Sequence, residues 1–506
     1  MNRPFQSLSG FRNRRLASGR RPPWALLCFI AGCALTAVSL AAADSSRELQ
    51  LEQMETWAPL PEAAPVTSKD ENGEVRIDSN RSRLCSGGWQ FLYSGLRGGQ
   101  GYRIATRVRH TNLEDVRDSL VVMVLWDAWD PNQKDTGHSP WNYLLPLPAA
   151  DGAMDFEGVF KAPEGATRMT VRYIFRWSAR GETHWTSPRI EPASLPELSP
   201  VTISVVSATS KTLKQFGQNP KPAARKGLPE DVGETVTLWE QLVRKACHNK
   251  PQLILTPETV IAGKHLRDGA VEVPGPATEP FQAIAKEHRT HIVLGVRERE
   301  RDAVYNSAVL ISPDGAIRGV YHKVHLAIGE GLSGELPGRD FPVFNTDIGR
   351  IGCLICMDTT VCESARMMAL HGAGIICMPI MGDLRASRWT PGPSSFDESS
   401  WQAIMRTRAI DNQVCMVVAR NAALGSCIIN RKGDILAWND GSQEVITAML
   451  PAEDGFRLWN GGDFREVTFL LRRPQLYQAY TDQHNLGPLK APAAKNGPLN
   501  SPRSNE

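Results

Sequence analysis

At 506 residues the chain is too long for one ordinary hydrophobic core, and two or three domains are expected. Lys and Arg number 57 against 54 Asp and Glu, for a formal net charge of +3, which argues against nucleic acid as the main partner. With 42% hydrophobic and 22% charged residues, the composition is that of a soluble globular protein.

The first segment reads as an export signal. Arg3, Arg12, Arg14, Arg15, Arg20 and Arg21 precede an uncharged stretch from Trp24 to Ala43, and no acidic residue occurs before Asp44. A basic lead, an apolar run and small residues at its end describe such a signal, with cleavage expected at Ala41-Ala42-Ala43. The same twenty residues are long enough to act as an uncleaved membrane anchor. Ile30-Ala31-Gly32-Cys33 also resembles a lipobox that would lipidate Cys33, and Arg14-Arg15-Leu16 a twin-arginine signal. Export, periplasmic or extracellular, is the expectation, and the mode of retention stays open among these. Cys28 and Cys33 lie in this segment, and the other eight of the ten cysteines show no regular spacing, so no disulfide framework is expected.

Residues 44–195 carry the pattern of an all-β sandwich. GYRIATRVRH (101–110) alternates, placing Tyr102, Ile104, Thr106 and Val108 on one face. SLVVMVLWDAW (119–129), FEGVFKAP (156–163) and RMTVRYIFRW (168–177) are β-branched and aromatic runs between turn residues. The pattern resembles the jelly-roll modules of secreted hydrolases, many of which bind sugars. Seven of the thirteen tryptophans fall here: Trp57, Trp89, Trp126, Trp129, Trp141, Trp177 and Trp185. Each is either a core residue or a platform for a glycan, and both readings stay open.

SLPELSPVTISVV (194–206) marks a boundary, and residues 200–450 then alternate strand-like and helix-like stretches. QLILTPE (252–258), HIVLGV (291–296) and NSAVLISPDG (306–315) read as strands, with helical stretches near 234–248 and 279–289 between them. That alternation predicts an α/β domain. Residues 451–486 form a C-terminal extension, and 487–506, rich in Pro, Asn, Ser and Lys, read as a disordered tail.

Chemistry concentrates around GRIGCLICMDTTVCESARMMALHG (349–372). Cys353 shares a strand face with Ile351 and Ile355 and reads as core. Cys356 falls at the end of the run, before Met357-Asp358. Thr360-x-x-Glu363 reads as a capping box opening a helix, which would favour a thiolate at Cys356. A nucleophilic thiol also needs a base and a group to hold the oxyanion. Glu258, ending an apolar strand after Pro257, is the candidate base. Lys323 follows a strand-like run as the candidate cation, with Glu330 seven residues on.

This order of residues resembles the nitrilase superfamily of carbon–nitrogen hydrolases. The pieces that carry the likeness are LTPET around Glu258, YNSAVLISPDG (305–315), YHKVHLAIGE (321–330), GCLICMDTTVCESARMMALHGAGIICMP (352–379), WQAIMRTRAIDNQVCMVVARN (401–421) and CIINRKGDILA (427–437). The resemblance implies an α/β fold of four layers, αββα, commonly paired as a homodimer or higher homo-oligomer. It implies that Cys356 is the nucleophile, Glu258 the base, Lys323 the oxyanion stabiliser and Glu330 a positioning group. It further implies a thioester intermediate on an amide, ureido or nitrile substrate, with no metal or organic cofactor. Three stretches depart from the family's pattern: Val361-Cys362, Gly331-Leu332 and the long polar stretch 380–400.

Three other readings are weighed against this one. Cys353, Cys356, Cys362, His371 and Cys377 suggest a metal site, but the strand should turn the first two to opposite faces. The same thioester passed to an amine would make the protein an N-acyltransferase. A catalytically dead domain beside a working sandwich would make it an exported binding protein, which the intact Glu258, Lys323 and Cys356 argue against.

Overall fold

The computed structural model describes residues 49–478 except 72, 128–138, 196–198, 220, 382–396, 453–455 and 459. The export signal at 1–43, the tail at 487–506 and most of the 380–400 stretch therefore lie outside the described residues.

Twelve strands precede residue 200 among the described residues: β1 (Gln50–Trp57), β2 (Val66–Lys69), β3 (Val75–Asp78), β4 (Ser86–Ser94), β5 (Gly101–Thr111), β6 (Leu120–Trp126), β7 (Trp141–Tyr143), β8 (Leu145–Pro148), β9 (Met154–Lys161), β10 (Arg168–Arg176), β11 (Glu182–Trp185) and β12 (Arg189–Ala193). A four-residue helix, α1 (Val116–Ser119), leads into β6. They form a five-stranded sheet, β1-β4-β10-β6-β7, and a seven-stranded one, β2-β3-β11-β5-β9-β8 with β12 on β5. Alternation explains the pairing: Tyr102, Ile104, Thr106 and Val108 all point inward, while Arg103, Arg107 and Arg109 face solvent. The inner faces close on Ile77, Phe91, Val124, Phe156 and Tyr173. Trp126 and Trp185 are enclosed in that core. Trp177 is 50% exposed, with the Arg176 guanidinium 3.8 Å above its ring, and Trp129 lies outside the described residues.

The second part contains β13 (Val201–Val206), α2 (Ser210–Gln218), α3 (Glu230–Cys247), β14 (Leu253–Leu255), α4 (Glu279–His288), β15 (His291–Glu300), β16 (Ala303–Ile311), β17 (Ile317–His322) and α5 (Ile328–Ser333). It continues with β18 (Val343–Thr346), β19 (Gly349–Cys353), α6 (Cys362–Leu370), β20 (Ile375–Ile380), α7 (Glu398–Asn412), β21 (Cys415–Arg420), β22 (Cys427–Ile429), β23 (Ile435–Trp438) and β24 (Val445–Leu450). Two six-stranded sheets result, β17-β16-β15-β14-β13-β24 and β18-β19-β20-β21-β22-β23.

Both faces of the central strands are apolar, as expected of parallel strands covered on each side. Ile203, Leu253, Leu255 and Val293 point toward the second sheet, meeting Ile351, Cys353, Met378 and Val417. Their neighbours Ile254, Ile292 and Leu294 point the other way, onto Val236, Leu242 and Phe281 of α3 and α4. On the far side Ala365 and Met368 of α6 and Met405 and Ala409 of α7 close the second sheet. The layers are thus helix, sheet, sheet, helix. Among the described residues, no helix is long and apolar enough to cross a membrane.

Candidate active site

Parallel strands bring their C-terminal ends to one edge of a sheet, and the chemistry collects there. β14 is only three residues long and wholly buried, and the chain leaves it through Thr256-Pro257 to Glu258, which is 2% exposed. The turn passes so close to β15 that a Cβ added at Gly295 would lie 2.0 Å from the Pro257 carbonyl oxygen. Only glycine admits that approach.

Lys323 follows β17 and is 1% exposed. Its backbone N–H donates to the Asn306 carbonyl at 2.9 Å. Its Nζ donates to Glu258 Oε1 at 2.8 Å, and to Glu330 Oε1 and Oε2 at 2.9 and 2.7 Å. Burial alone would lower the Lys323 pKa. The negative charge of Glu258, and then of Cys356 in its thiolate form and of Glu330, outweighs burial and lifts it above the usual lysine value. The ammonium is therefore held charged. Glu330, on α5, also accepts from the Ala327 N–H at 2.6 Å.

Cys356 stands just past β19, which ends at Cys353. Its backbone is left-handed, with φ of +43°, a strained conformation for a residue with a side chain. Its thiol lies within electrostatic reach of the Glu258 carboxylate, the Lys323 ammonium and the Met381 amide. That same amide donates to Glu258 Oε2 at 2.5 Å. Burial, followed by the Glu258 charge, pushes the Cys356 thiol well above the ordinary cysteine value, and Lys323 opposes this only in part.

The expected helix cap is not formed as the sequence suggested. Residues Cys356–Thr360 make a 3-10 turn, and α6 begins only at Cys362 behind Val361, which provides no side-chain cap. The Thr360 hydroxyl instead donates to the Met357 carbonyl at 2.8 Å. Burial and the Glu258 charge therefore dominate at Cys356, and the thiol is raised rather than lowered. The resting sulfur is a thiol beside a carboxylate, which suits proton removal during attack.

Asp358, not the expected cap, organises the turn at Cys356. Fully buried, it accepts from the Ile355 N–H at 2.8 Å, the Tyr321 hydroxyl at 2.7 Å, the His325 N–H at 2.9 Å and His325 Nδ1 at 2.8 Å. One carboxylate thereby ties the Cys356 turn to β17 and to the segment carrying Lys323.

The structure thus brings Glu258, Lys323, Glu330 and Cys356 into one cluster. Cys353 is fully buried among apolar side chains, and its thiol is pushed up to about 12 by that burial. Among the described residues no group of three or more His, Cys, Asp or Glu is placed to hold a metal ion. Sequence reasoning gave no role to Asn306, Tyr321, His325 or Asp358. For Asn306 the signal was an amide at the start of an otherwise apolar strand. For Asp358 it was a carboxylate two residues past the cysteine.

Residues 216–455 match the family model described as carbon-nitrogen hydrolase. A Schizosaccharomyces pombe protein named as a nitrilase is 30% identical over 243 residues, spanning 44% of this chain and 85% of that protein. The omega-amidase NIT2 of Homo sapiens is 28% identical over 235 residues, spanning 42% and 81%. Among solved structures, Saccharomyces cerevisiae Nit3, titled a member of branch 10 of the nitrilase superfamily, is 19% identical. It covers 51% of this chain and 93% of that one, with a TM-score of 0.41. By its sequence match, this chain belongs to the carbon–nitrogen hydrolases of the nitrilase superfamily.

Proposed function

We propose that this protein hydrolyses the carbon–nitrogen bond of an amide through a thioester on Cys356, after export from the cytoplasm. One observation carries the mechanism: a buried ammonium bonded to two carboxylates, one of which lies within electrostatic reach of the thiol. As Cys356 Sγ attacks the amide carbon, its proton passes to Glu258 and the carbonyl electrons move onto oxygen. The Lys323 ammonium stabilises that oxyanion, a contribution commonly worth about 10²–10³ in rate for one donor. Collapse expels ammonia or an amine, which takes the proton from Glu258, and a thioester remains. Glu258 then removes a proton from water as its oxygen attacks the thioester carbon; the C–S bond breaks, the carboxylic acid leaves, and Glu258 returns the proton to the Cys356 sulfur. Glu330 holds Lys323 in place. The omega-amidase among the relatives favours amides over nitriles as the first substrates to try. Export rests on residues 1–43, and homodimer formation on the family resemblance.

Ammonia release from aliphatic amides, N-carbamoyl compounds and nitriles tests the proposal. Wild type is expected to turn over at least one amide, and Cys356→Ala, matched for folding by circular dichroism, to lose activity by at least about 10³-fold. An unchanged rate in Cys356→Ala would remove the nucleophile assignment. Acylated Cys356 without ammonia release would favour transfer to an amine.

A further inference from the structure

Two carboxylates share one ammonium at this site: Lys323 Nζ donates to Glu258 Oε1 and, across both of its oxygens, to Glu330, which two of its three N–H groups can do, leaving the third for the substrate oxygen. Like charges so close favour protonation of one partner, which would deprive the site of its base. Asn306, 1% exposed, supplies the missing donors. Its Nδ2 donates to Glu258 Oε1 at 2.7 Å and to Glu330 Oε1 at 2.6 Å.

The other end of the amide is informative. Asn306 Oδ1 is buried without a hydrogen-bond partner. Buried polar atoms are normally satisfied, so an orphaned one calls for an explanation. Flipping the amide would aim that oxygen at two carboxylate oxygens, so the NH₂ group must face them. The Asn306 backbone carbonyl also accepts from the Lys323 N–H. One residue therefore holds the lysine by its main chain and both glutamates by its side chain.

We infer that Asn306 is a positioning residue that fixes Glu258 and Glu330 on either side of Lys323 and occupies Glu258 Oε1, leaving Oε2 to receive the Cys356 proton. This rests on the reading of Glu258 as the base. Oε1 accepts from both Lys323 and Asn306, which fills its two lone-pair positions, whereas Oε2 accepts from the Met381 N–H alone and keeps one lone pair for the proton. During attack the S–H bond breaks, the S–C bond forms, and the proton moves to Oε2. Asn306 neither gives nor takes a proton.

The test is the pH dependence of kcat/KM for an amide substrate in wild type, Asn306→Ala, Asn306→Asp and Glu258→Gln. Removing the N–H donors withdraws hydrogen bonds that only the carboxylate form of Glu258 can accept at Oε1. Asn306→Ala should therefore lose about 10–100-fold in kcat, move the acid limb up by about one pH unit, and leave KM within about threefold. Asn306→Asp keeps the side-chain shape but can donate only when protonated, so its activity should be confined to lower pH than wild type. If Asn306→Ala does not fold, the isosteric Asn306→Asp carries the test. Wild-type pH profiles and kcat in the folded Asn306 variants, with Glu258→Gln inactive, would overturn the inference and leave the mechanism standing. An active Glu258→Gln would overturn both.

Discussion

Lys323 is the residue on which the site depends most. A lysine that is 1% exposed stays charged only because Glu258 and Glu330 surround it, and each of them in turn relies on the ammonium. Removing one partner of a buried ion pair leaves an uncompensated charge. Lys323→Met should therefore destabilise the protein by about 3–5 kcal/mol near pH 8, as read by denaturant unfolding. Near pH 5 the loss should be smaller, because a carboxylate without its ammonium can take up a proton. Equal stability of variant and wild type near pH 8 would mean that water or another cation replaces the ammonium. The cysteine shows the reverse situation. Nothing in its local sequence announces that burial and Glu258 keep the thiol protonated, because both effects come from other parts of the chain.

At the scale of elements, the site depends on how closely β14 and β15 approach. Gly295 lies beside the turn that carries Glu258, and an added methyl group would meet the backbone oxygen of Pro257, which cannot rotate away. Gly295→Ala is expected to cost about 1–3 kcal/mol by overpacking. It should also reduce kcat by about 10²-fold, since a misplacement of about 1 Å at a reacting group has effects of that size. Thermal unfolding and ammonia release check the two parts separately. Sequence patterns placed β14 and β15 themselves well, because continuous apolar runs leave little choice of environment, but not their ends: β14 stops at Leu255 and β15 runs on to Glu300. The start of α6 was not legible in the same way. Thr360 and Glu363 satisfy the local rule for a capping box, but the buried Asp358 carboxylate organises the turn first and moves the helix start to Cys362.

For the whole molecule, the segment after β24 joins the two parts. Helix α8 (Phe464–Leu470) presents Glu466 to the sandwich, where it accepts from Asn142 Nδ2 at 2.9 Å and the Tyr143 N–H at 2.7 Å. Arg457 donates to the Trp141 carbonyl at 2.8 Å, and Arg473 pairs with Asp118 at 2.8 Å. On its other side Phe469 packs against the α/β core, with Arg366 of α6 5.1 Å from its ring. Burial pushes Glu466 up to about 7 from 4.5, with Asp463 adding to the rise, while the Asn142 and Tyr143 donors and Arg457 pull it down. A carboxyl group raised in the folded state binds its proton more tightly there than when unfolded. Its contribution is therefore greatest below about pH 4.5 and is lost as pH rises through about 7. The melting temperature of wild type should fall more between about pH 5 and about pH 8 than that of Glu466→Gln. Parallel curves for the two proteins would show that Glu466 does not titrate in this window.

The sequence by itself determined a β-rich part followed by an α/β part, because strand periodicity and apolar runs are local properties of the chain, while the four-layer order followed from the family resemblance. It also offered Glu258, Lys323 and Cys356 as candidates near the ends of apolar strands, and the resemblance of their order to a known family, with Glu330 added, gave them their roles. Tertiary structure alone decided that these four meet, that Asn306 bridges the two glutamates, and that Asp358 holds the cysteine turn. It also decided the protonation of the thiol and the docking of residues after 456 onto the sandwich. Each of these outcomes depends on desolvation and on charges supplied by segments distant in the chain. No local pattern encodes which of them will be neighbours, because the electrostatic energy of a buried group is a property of its surroundings.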